Sequence, residues 1–328
     1  MEEIIWNLLS FIIFPGLLFV CIYSLFLEWL DRKVYARVQN RVGPLITGSK
    51  GILQPFADFI KLLSKEDIKP ECADRWGFLF SPLTALTVAM MTVFFVPIVG
   101  YQGLISLPVD LLIVVFISTL FNILVILAGY FSVSRFSTIG AVRAGLQFVA
   151  YEIPFVLSII CAGVLAKSLS IAEIVYAQNN IYHMPFVVYL FPAFIIYLVS
   201  SLAKLERVPF DIPEAETELA AGWQVEYSGR KLALFKLAAD IKALFVSGLG
   251  AALFLGGPIG PAIAGLEPLC YLFWFIVKTL FIVALIGFFR GLFARFRIDQ
   301  AVNLFWKTVL PASLIVFIYT SVLIYFIL

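Results

Sequence analysis

The sequence predicts an all-α, polytopic membrane protein, because of its composition and the character of its apolar runs. Of its 328 residues, 62% are hydrophobic and only 13% are charged, whereas a soluble domain is about a quarter charged. The apolar runs reach the roughly 20 residues that a helix needs to cross a bilayer. They are continuous and do not alternate with polar residues, which excludes a transmembrane β-barrel.

Eight apolar runs predict eight transmembrane helices within a single integral membrane domain, residues 1–328. The predicted spans are 4–30, 77–101, 108–131, 138–166, 185–205, 231–256, 267–290 and 303–327. Prolines interrupt several of them, at Pro15, Pro97, Pro154, Pro192 and Pro311. Such breaks are tolerated where neighbouring helices satisfy the freed backbone groups.

The distribution of basic residues predicts the orientation of these spans. Eighteen of the 23 Lys and Arg residues lie in or beside the loops after spans 1, 3, 5 and 7, and one, Lys167, lies on the other side. Because cytoplasmic loops carry the excess of Lys and Arg, we expect a multi-pass protein of the cell membrane with both termini extracytoplasmic. Charges at span ends, such as Glu28, Asp31 and Arg290, are interpreted as membrane-edge charges. The expected cytoplasmic loops are about 31–76, 132–137, 206–230 and 291–302.

The first of these loops predicts an amphipathic helix at the membrane interface. Apolar residues from Ile52 to Leu63 recur at roughly helical spacing, and Gln54, Asp58 and Lys61 fall between them. This pattern is typical of a helix that lies in the interface. Two interpretations are open: the helix packs flat against lipid, or it forms one wall of a cavity between the membrane and a docked partner.

The cysteines and the histidine predict no cofactor and no metal site in this chain. The four cysteines, at positions 21, 72, 161 and 270, are scattered without a CxxC pair, and His183 is the only histidine. Zinc and iron–sulfur sites use clustered Cys and His ligands. We therefore expect any redox cofactor on partner proteins.

Ionisable residues within the spans are functional candidates, because charge is costly inside the bilayer. Glu152 lies in span 4, and span 6 holds Lys236, Asp240 and Lys242. Lys236 and Asp240 are four residues apart, on one helix face. Lys278 lies near the middle of span 7. The alternative is that these charges only neutralise one another, which applies least to Lys278, since it has no acid within a turn.

The densest group of acids lies between spans 5 and 6. This acidic loop, residues 204–227, contains Glu206, Asp211, Glu214, Glu216, Glu218 and Glu226. A helix would place Glu214 and Glu218 on one face, where like charges repel and raise each other's pKa. A carboxylate with a pKa near neutrality suits a proton relay. The alternative is a solvated loop, although Phe210 and Trp223 indicate burial.

Several motifs of this chain occur together, in the same order, in one known family. They are 206–211 (Glu-Arg-Val-Pro-Phe-Asp), 214–219, 225–227 (Val-Glu-Tyr), 31–33 with 41–44 (Arg-Val-Gly-Pro), 51–58, 151–152 and 297–300 (Arg-Ile-Asp-Gln). In these motifs, from about residue 28 to 312, the sequence resembles the H subunit of respiratory complex I, which is called subunit 1 in mitochondria.

The resemblance implies eight spans, a cavity facing the peripheral arm, and a chain of buried acids leading towards antiporter-like subunits. With the charges found in the spans, the candidate ion-translocation residues are Glu152, Asp211, Glu214, Glu216, Glu218, Glu226, Lys236, Asp240 and Lys278. The residues expected to face the cavity or a partner are Arg32, Arg37, Arg41, Asp58, Lys204, Glu206, Arg207, Phe210, Trp223, Arg297 and Asp299. No catalytic residue is expected, since the resemblance implies a non-catalytic subunit.

Some residues depart from the pattern of the quinone-reducing members. Leu45 stands where they usually have Asn, and Lys204 and Glu206 stand where they have Glu and Asn. Ala239-Asp240 replaces a Glu-Tyr pair. With the stretch 228–231, these departures look closer to the ferredoxin-linked membrane-bound hydrogenases and sulfane reductases of archaea, which have the same membrane anchor but no quinone. They also suggest that Lys204 lies near the cavity mouth and disfavours a quinone head group.

The chain is accordingly interpreted as the membrane-anchoring and energy-coupling subunit of a ferredoxin-linked, complex I-like oxidoreductase of the hydrogenase or sulfane reductase type. It would couple electron transport to proton or sodium translocation. The expected partners are peripheral-arm catalytic and iron–sulfur subunits, antiporter-like membrane subunits and membrane lipid, and not nucleic acid. One alternative is the quinone-site subunit of an NADH:quinone or related quinone oxidoreductase. A distant alternative is a stand-alone secondary transporter.

Overall fold

The computed structural model describes residues 9–214, 216–263 and 265–327, apart from the side chains at 216, 217, 326 and 327. All regular secondary structure in these residues is helical. The α-helices are α1 (Leu17–Val38), α2 (Gln54–Ser64), α3 (Arg75–Phe94), α4 (Asp110–Phe131), α5 (Arg135–Ala166), α6 (Ile171–Tyr176), α7 (Phe191–Lys204), α8 (Glu216–Leu219), α9 (Gly229–Phe254), α10 (Glu267–Leu292), α11 (Ile298–Leu304) and α12 (Leu310–Ile327). Short 3-10 turns lie at Ser49–Gly51 and Gly222–Gln224, and π-helical turns at Ala177–Ile181 and Phe305–Val309.

Seven helical segments of the described residues are long and apolar enough to cross a membrane. They are Leu9–Val38, Arg75–Phe94, Asp110–Phe131, Arg135–Ala166, Gly229–Phe254, Glu267–Leu292 and Ile298–Tyr325. The first is bent at Pro15-Gly16, before α1, and the last joins α11 to α12 through a π-helical turn. These segments confirm the predicted polytopic, all-α class.

The predicted span 185–205 forms a shorter helix than expected. Helix α7 has only 14 residues, about 21 Å of helix, which is less than the roughly 30 Å of a hydrocarbon core. The residues before it form turns, held by an amide of Phe186 that donates to Oε1 of Gln178 at 3.1 Å. Proline at 192 then fixes the start of the helix. Helix α7 is a core helix in which Tyr197 is fully buried.

Two helices end more than a turn away from the predicted C-terminal end of their span. Helix α1 continues to Val38, beyond the predicted end at 30, because the charged residues of its last turns find partners on other helices. Helix α3 ends at Phe94 and not at 101. Residues 95–101 contain Pro97, which lacks the amide that a continuing helix would need.

Helix α9 lies at the centre of the bundle and packs against α1, α3 and α10. Glycines bring its neighbours close: a Cβ atom on Gly250 would lie 2.8 Å from Cε1 of Tyr197. The hydroxyl of Tyr197 donates to the carbonyl oxygen of Val246 at 2.6 Å. This close packing of α7 on α9 fixes the position of the acidic loop, which joins the two helices.

Helix α2 is the predicted amphipathic helix, and it packs across α1 and α9. Its Pro55 is buried, whereas Ile60 is 64% exposed. The apolar face between these extremes includes Phe59, which turns toward the interior of the bundle. The helix therefore covers one end of the bundle beside the acidic loop.

Candidate functional site

The main cavity lies where α2 and the acidic loop meet the ends of α1 and α9, and its volume is about 430 Å³. Its apolar side includes Leu25, Phe59, Leu62, Phe121 and Val125. Its charged side consists of Glu28, Arg32, Asp58, Lys61, Lys65, Glu206, Arg207, Glu214, Lys236, Asp240 and Lys242. Helix α2 thus forms one wall of a cavity within the chain.

Arg32 links the amphipathic helix to the first span. Its Nε donates to Oε1 of Glu28 at 2.9 Å, and its Nη1 donates to Oδ2 of Asp58 at 2.6 Å. Asp58 is held in place by Nε2 of Gln54, at 2.9 Å. Since Asp58 belongs to α2 and Glu28 to α1, these bonds set the distance between two walls of the cavity.

Arg207 makes the second charged link, from the acidic loop to α1. Its Nη2 donates to Oε2 of Glu28 at 2.5 Å, and its Nη1 lies 3.7 Å from Oδ2 of Asp31. Burial opposes the charge of Arg207, but the two carboxylates outweigh burial and raise the pKa of its guanidinium. Nη1 of Arg290 donates to the same Oδ2 of Asp31 at 2.6 Å. Glu28 and Asp31 therefore join three arginines.

The importance of Glu28, Asp31 and Arg290 was missed in the sequence, where they were interpreted as membrane-edge charges. The available signal was their spacing: Glu28 and Asp31 are three residues apart and share a helix face. Both carboxylates are buried, and a buried acid requires a positive partner. Their partners are 179 and 259 residues away in the chain, so no local pattern could identify them.

Glu206 lines the main cavity from the first turn of the acidic loop. Its backbone adopts a left-handed conformation, with φ of 52°, which bends the chain away from α7. Burial raises the pKa of its carboxyl to about 7, and the ammonium group of Lys242 acts in the opposite direction. A carboxyl with this pKa can both take up and release a proton near neutral pH.

Lys236 and Asp240 both line the main cavity from α9. Although they are four residues apart, the described residues show no ion pair between them. The structure therefore does not support the alternative that Lys236 and Asp240 only neutralise each other through a direct contact. Asp240 instead faces the same space as Glu28 and Arg207.

Lys204 lies inside the bundle and not at the mouth of the cavity, contrary to the prediction. Its side chain is fully buried. Nζ donates to Oε2 and Oε1 of Glu152, at 3.2 and 3.4 Å, and to Oγ of Ser118 at 3.1 Å. The ammonium also lies 4.2 Å from the ring centroid of Phe155. The argument that Lys204 repels a quinone head group from the cavity is thus removed.

Lys242 is the other buried lysine of this region. Its Nζ donates to Oδ1 of Asn122 at 2.9 Å and lies 4.6 Å from the ring centroid of Phe121. Lys242 and Glu206 also line the main cavity. Polar side chains therefore continue from the cavity into the bundle between α4, α5 and α9.

Glu214 and Glu218 do not share a helix face, contrary to the prediction. Helix α8 begins at Glu216, after Glu214. Glu214 accepts a hydrogen bond from Nε2 of Gln224 at 2.5 Å and lines the cavity, whereas Glu218 is exposed and bonds to Nη1 of Arg143 at 2.6 Å. That bond lowers the pKa of Glu218.

Asp211 and Glu226 of the loop do not line the main cavity. The side chain of Glu216 falls outside the described part of the structure. Asp211 lies beside Arg295, with 3.8 Å between Nη2 and Oδ2, and its carbonyl oxygen accepts a hydrogen bond from the same guanidinium. Glu226 is half-buried and is not part of the cavity lining.

Among the other predicted cavity or partner residues, some line the main cavity and some do not. Trp223 lines the main cavity, but Phe210 is buried against Phe296 and Phe305, with ring centroids 5.6 and 5.2 Å away. Phe210 therefore does not wall the cavity as predicted. Arg37, Arg41, Arg297 and Asp299 are exposed and lie outside its lining.

Lys278 lies at a distance from all of these groups. Its Nζ donates to the carbonyl oxygens of Gly257 and Ile259, at 2.7 and 2.8 Å. It borders a separate cavity of about 320 Å³, together with His183. The structure therefore does not bring Lys278 together with the other candidate ion-translocation residues.

The residues that the structure describes contain no group of three or more His, Cys, Asp or Glu that could hold a metal ion. All four cysteines are free thiols, and Cys72 is the exposed one. The lining of the main cavity offers paired charges, a carboxyl group that can exchange a proton near neutral pH, and an apolar wall.

The sequence matches a known protein family over most of its length. The family model described as NADH dehydrogenase matches residues 11–321. This range includes every described wall of the main cavity.

Similar curated proteins carry a consistent description, the H subunit of NADH-quinone oxidoreductase. The chain is 40% identical to that of Dehalococcoides mccartyi strain CBDB1 over 296 residues, which cover 90% of this chain and 81% of the relative. It is 38% identical to that of Thermomicrobium roseum, covering 95% and 94% of the two chains. It is 37% identical to that of Pelagibacter ubique, covering 87% and 86%.

Proposed function

The chain belongs to the H subunit family of respiratory complex I, and from that premise we propose that it couples electron transfer in a peripheral arm to ion translocation across the membrane. We further propose that the main cavity binds a quinone head group. The relatives are described as subunits of NADH-quinone oxidoreductases, which favours this function over the ferredoxin-linked one that the sequence departures suggested.

The observation that carries the proposal is the two-sided lining of the main cavity. A volume of about 430 Å³ lies within the roughly 300–1,000 Å³ of small-molecule sites. Phe59 and Leu62 supply an apolar wall, and Glu206, Arg207 and Asp240 supply polar groups on the other side. A quinone has the matching character, with an apolar tail and a ring that carries two carbonyl oxygens.

The charged side of the cavity supports a role in proton exchange. Reduction of a quinone to a quinol consumes two electrons and two protons. The electrons would come from iron–sulfur centres of partner subunits, since this chain offers no such centre in its described residues. Glu206, with a pKa of about 7, is suited to deliver a proton. Loss of that proton would change the charge balance around Asp240 and Arg207.

We propose that this change is passed to ions through the buried charges of the bundle. Lys204 and Glu152 form the most deeply buried pair of this region, and ionisable groups within the membrane commonly mark ion pathways. Asp211, Glu214, Glu216, Glu226 and Lys236 remain candidates for the same path. Glu218, which is exposed and paired with Arg143, and Lys278, which lies beside a separate cavity, are not part of it in this proposal. Antiporter-like membrane subunits would receive the ion, and peripheral catalytic and iron–sulfur subunits would cover the cavity. In this proposal the end of the bundle that holds the cavity faces the cytoplasm, which the strong bias of basic residues supports.

A second candidate is the membrane subunit of a ferredoxin-linked assembly without quinone. One observation favours it: Ala239 lines the main cavity at a position where the resemblance implies an acid. In that case the cavity would hold water or lipid beneath a catalytic subunit, and proton or sodium translocation would still depend on the same buried charges.

Quinone turnover by the purified complex tests the proposal. We expect reduction of a soluble quinone by the wild type, and a loss of that activity in Phe59→Trp, because the larger ring fills the cavity. Phe56→Trp is the matched control, since Phe56 lies on the same helix outside the cavity lining. Oxidation of reduced ferredoxin by the complex, with no reduction of quinone, would favour the second candidate. Equal effects of the two substitutions would contradict the placement of the head group.

A further inference from the structure

Another pocket, of about 260 Å³, lies between the end of α1 and the end of α10. Arg32, Arg41 and Arg290 line it, together with Tyr35 and Gly43. This arginine pocket shares only Arg32 with the main cavity. It plays no part in the function proposed above.

The local fold draws two of the arginines onto one aromatic ring. After α1 ends at Val38, the chain turns back, and the amide of Arg41 donates to the carbonyl oxygen of Ala36 at 2.9 Å. The guanidinium carbons of Arg41 and Arg290 then lie 5.0 and 4.5 Å from the ring centroid of Tyr35. The ring attracts both cations, but two like charges at one ring repel each other unless an anion lies nearby.

The carboxylates of the region do not neutralise every arginine of the pocket. Arg32 is paired with Glu28 and Asp58, and Arg290 is paired with Asp31. Arg41, by contrast, forms no ion pair within the described part of the chain. The lining of the pocket therefore includes one guanidinium group without a carboxylate partner, which suits a phosphate group.

The position of the pocket indicates the source of the phosphate. Helices α1 and α10 belong to segments long and apolar enough to cross a membrane, and the pocket lies at their ends. Exposed apolar side chains occur in its lining and just after it in the chain: Val42, which lines the pocket, is 62% exposed, and Leu292 and Phe293, which follow Arg290 at the end of α10, are 55% and 50% exposed. Basic pockets between membrane helices bind the head groups of anionic lipids. We propose that the arginine pocket binds the phosphate of an anionic phospholipid, whose acyl chains lie along these apolar side chains.

Lipid retention tests this assignment. The full chain is placed in nanodiscs containing equal amounts of phosphatidylglycerol and phosphatidylcholine, transferred to mild detergent and analysed by native mass spectrometry. We expect the wild type to retain phosphatidylglycerol preferentially. Arg41→Gln should lower the retained fraction roughly fivefold, which corresponds to one basic residue beside an anionic lipid. Arg41→Lys should restore part of it.

Arg37→Gln is the matched control, because it removes the same charge one turn earlier from an exposed side chain outside the pocket. It should leave lipid retention unchanged. Equal losses in the Arg37 and Arg41 variants, or equal retention of the two lipids, would overturn the proposal. Thermal protection by millimolar inorganic phosphate equal to that by phosphatidylglycerol would assign the pocket to a free phosphate. Loss of the lipid on assembly of the complex would assign it to an acidic partner segment.

Quinone assays do not enter this test, so its outcome is independent of the proposed function. A complex that fails to reduce quinone can still retain the lipid, and a complex that reduces quinone can lack it.

Discussion

Nζ of Lys204 lies 3.2 Å from Oε2 of Glu152 in the interior of the bundle. The lysine side chain is fully buried, and that of the glutamate is 12% exposed. The pair ties α5 to the C-terminal end of α7, from which the acidic loop begins. A change in its charge would therefore act directly on the loop that lines the main cavity.

Breaking this pair on one side is expected to destabilise the protein strongly. Lys204→Met should cost about 3–5 kcal/mol, because it leaves the Glu152 carboxylate without its positive partner. The combination of Lys204→Met with Glu152→Gln should recover most of that loss. Thermal unfolding in detergent measures both, with Lys307→Met, an exposed lysine, as the control. Additive losses in the double variant would show that the two residues do not act as a pair.

Substitutions of Glu28 and of Glu218 should differ sharply in their effect on the stability of the protein. Glu28→Gln removes the buried charge that joins Arg32 and Arg207, and should cost about 3 kcal/mol, since Arg207 loses its nearest carboxylate. Glu218→Gln should leave the melting temperature nearly unchanged, because an exposed ion pair contributes little. Melting temperatures of the two variants, measured side by side, check this difference. Similar values would mean that the Glu28 network is not structural.

Glu206 should make stability depend on pH between about 4.5 and 7. Because burial raises its pKa from 4.5 to about 7, the folded protein binds more protons at this site than the unfolded chain does. The stabilisation is complete below about pH 4.5 and is lost as the pH rises through 7, at no more than about 1.4 kcal/mol per pH unit. The melting temperature should therefore fall less with pH in Glu206→Gln than in the wild type. Glu71→Gln, in an exposed turn, is the control and should show the same dependence of melting temperature on pH as the wild type. The same dependence in Glu206→Gln would contradict the raised pKa of Glu206.

The proposed orientation predicts labelling of two exposed positions from opposite sides. Cysteines introduced at Lys50 and Asn180, both exposed, should react with an impermeant maleimide from the cytoplasmic and the extracytoplasmic side respectively. The exposed Cys72 is first replaced by serine. Labelling of both from one side would overturn the orientation.

The helical class and most of the spans could be predicted from the sequence because they depend on local composition. Continuous apolar runs are sufficient to place α4, α5 and α10 within a few residues. Span 185–205 failed at its start, since turns held by Gln178 replace its first residues. That side chain lies on another element, so the apolar run alone gave no indication of the shorter helix.

The site was harder to predict, because its charged residues pair with residues that are far away in the sequence. The sequence identified Glu206, Arg207 and Asp240, which line the main cavity. It predicted Lys204 at the mouth of the cavity and not in the interior of the bundle, since a lysine at the end of an apolar run is typical of a membrane edge. Its partner Glu152 is 52 residues away, and only the packing of α5 on α7 brings the two together.

The most direct test of the account is redox-driven ion uptake by the complex in proteoliposomes. Asp240→Asn and Glu152→Gln should abolish most of the uptake while the complex still assembles, because both remove buried charge between the main cavity and the bundle interior. Glu218→Gln, at an acid that is exposed and paired with Arg143, should leave uptake near the wild-type level. Full uptake in the Asp240 and Glu152 variants, or an equal loss in the Glu218 variant, would contradict the account.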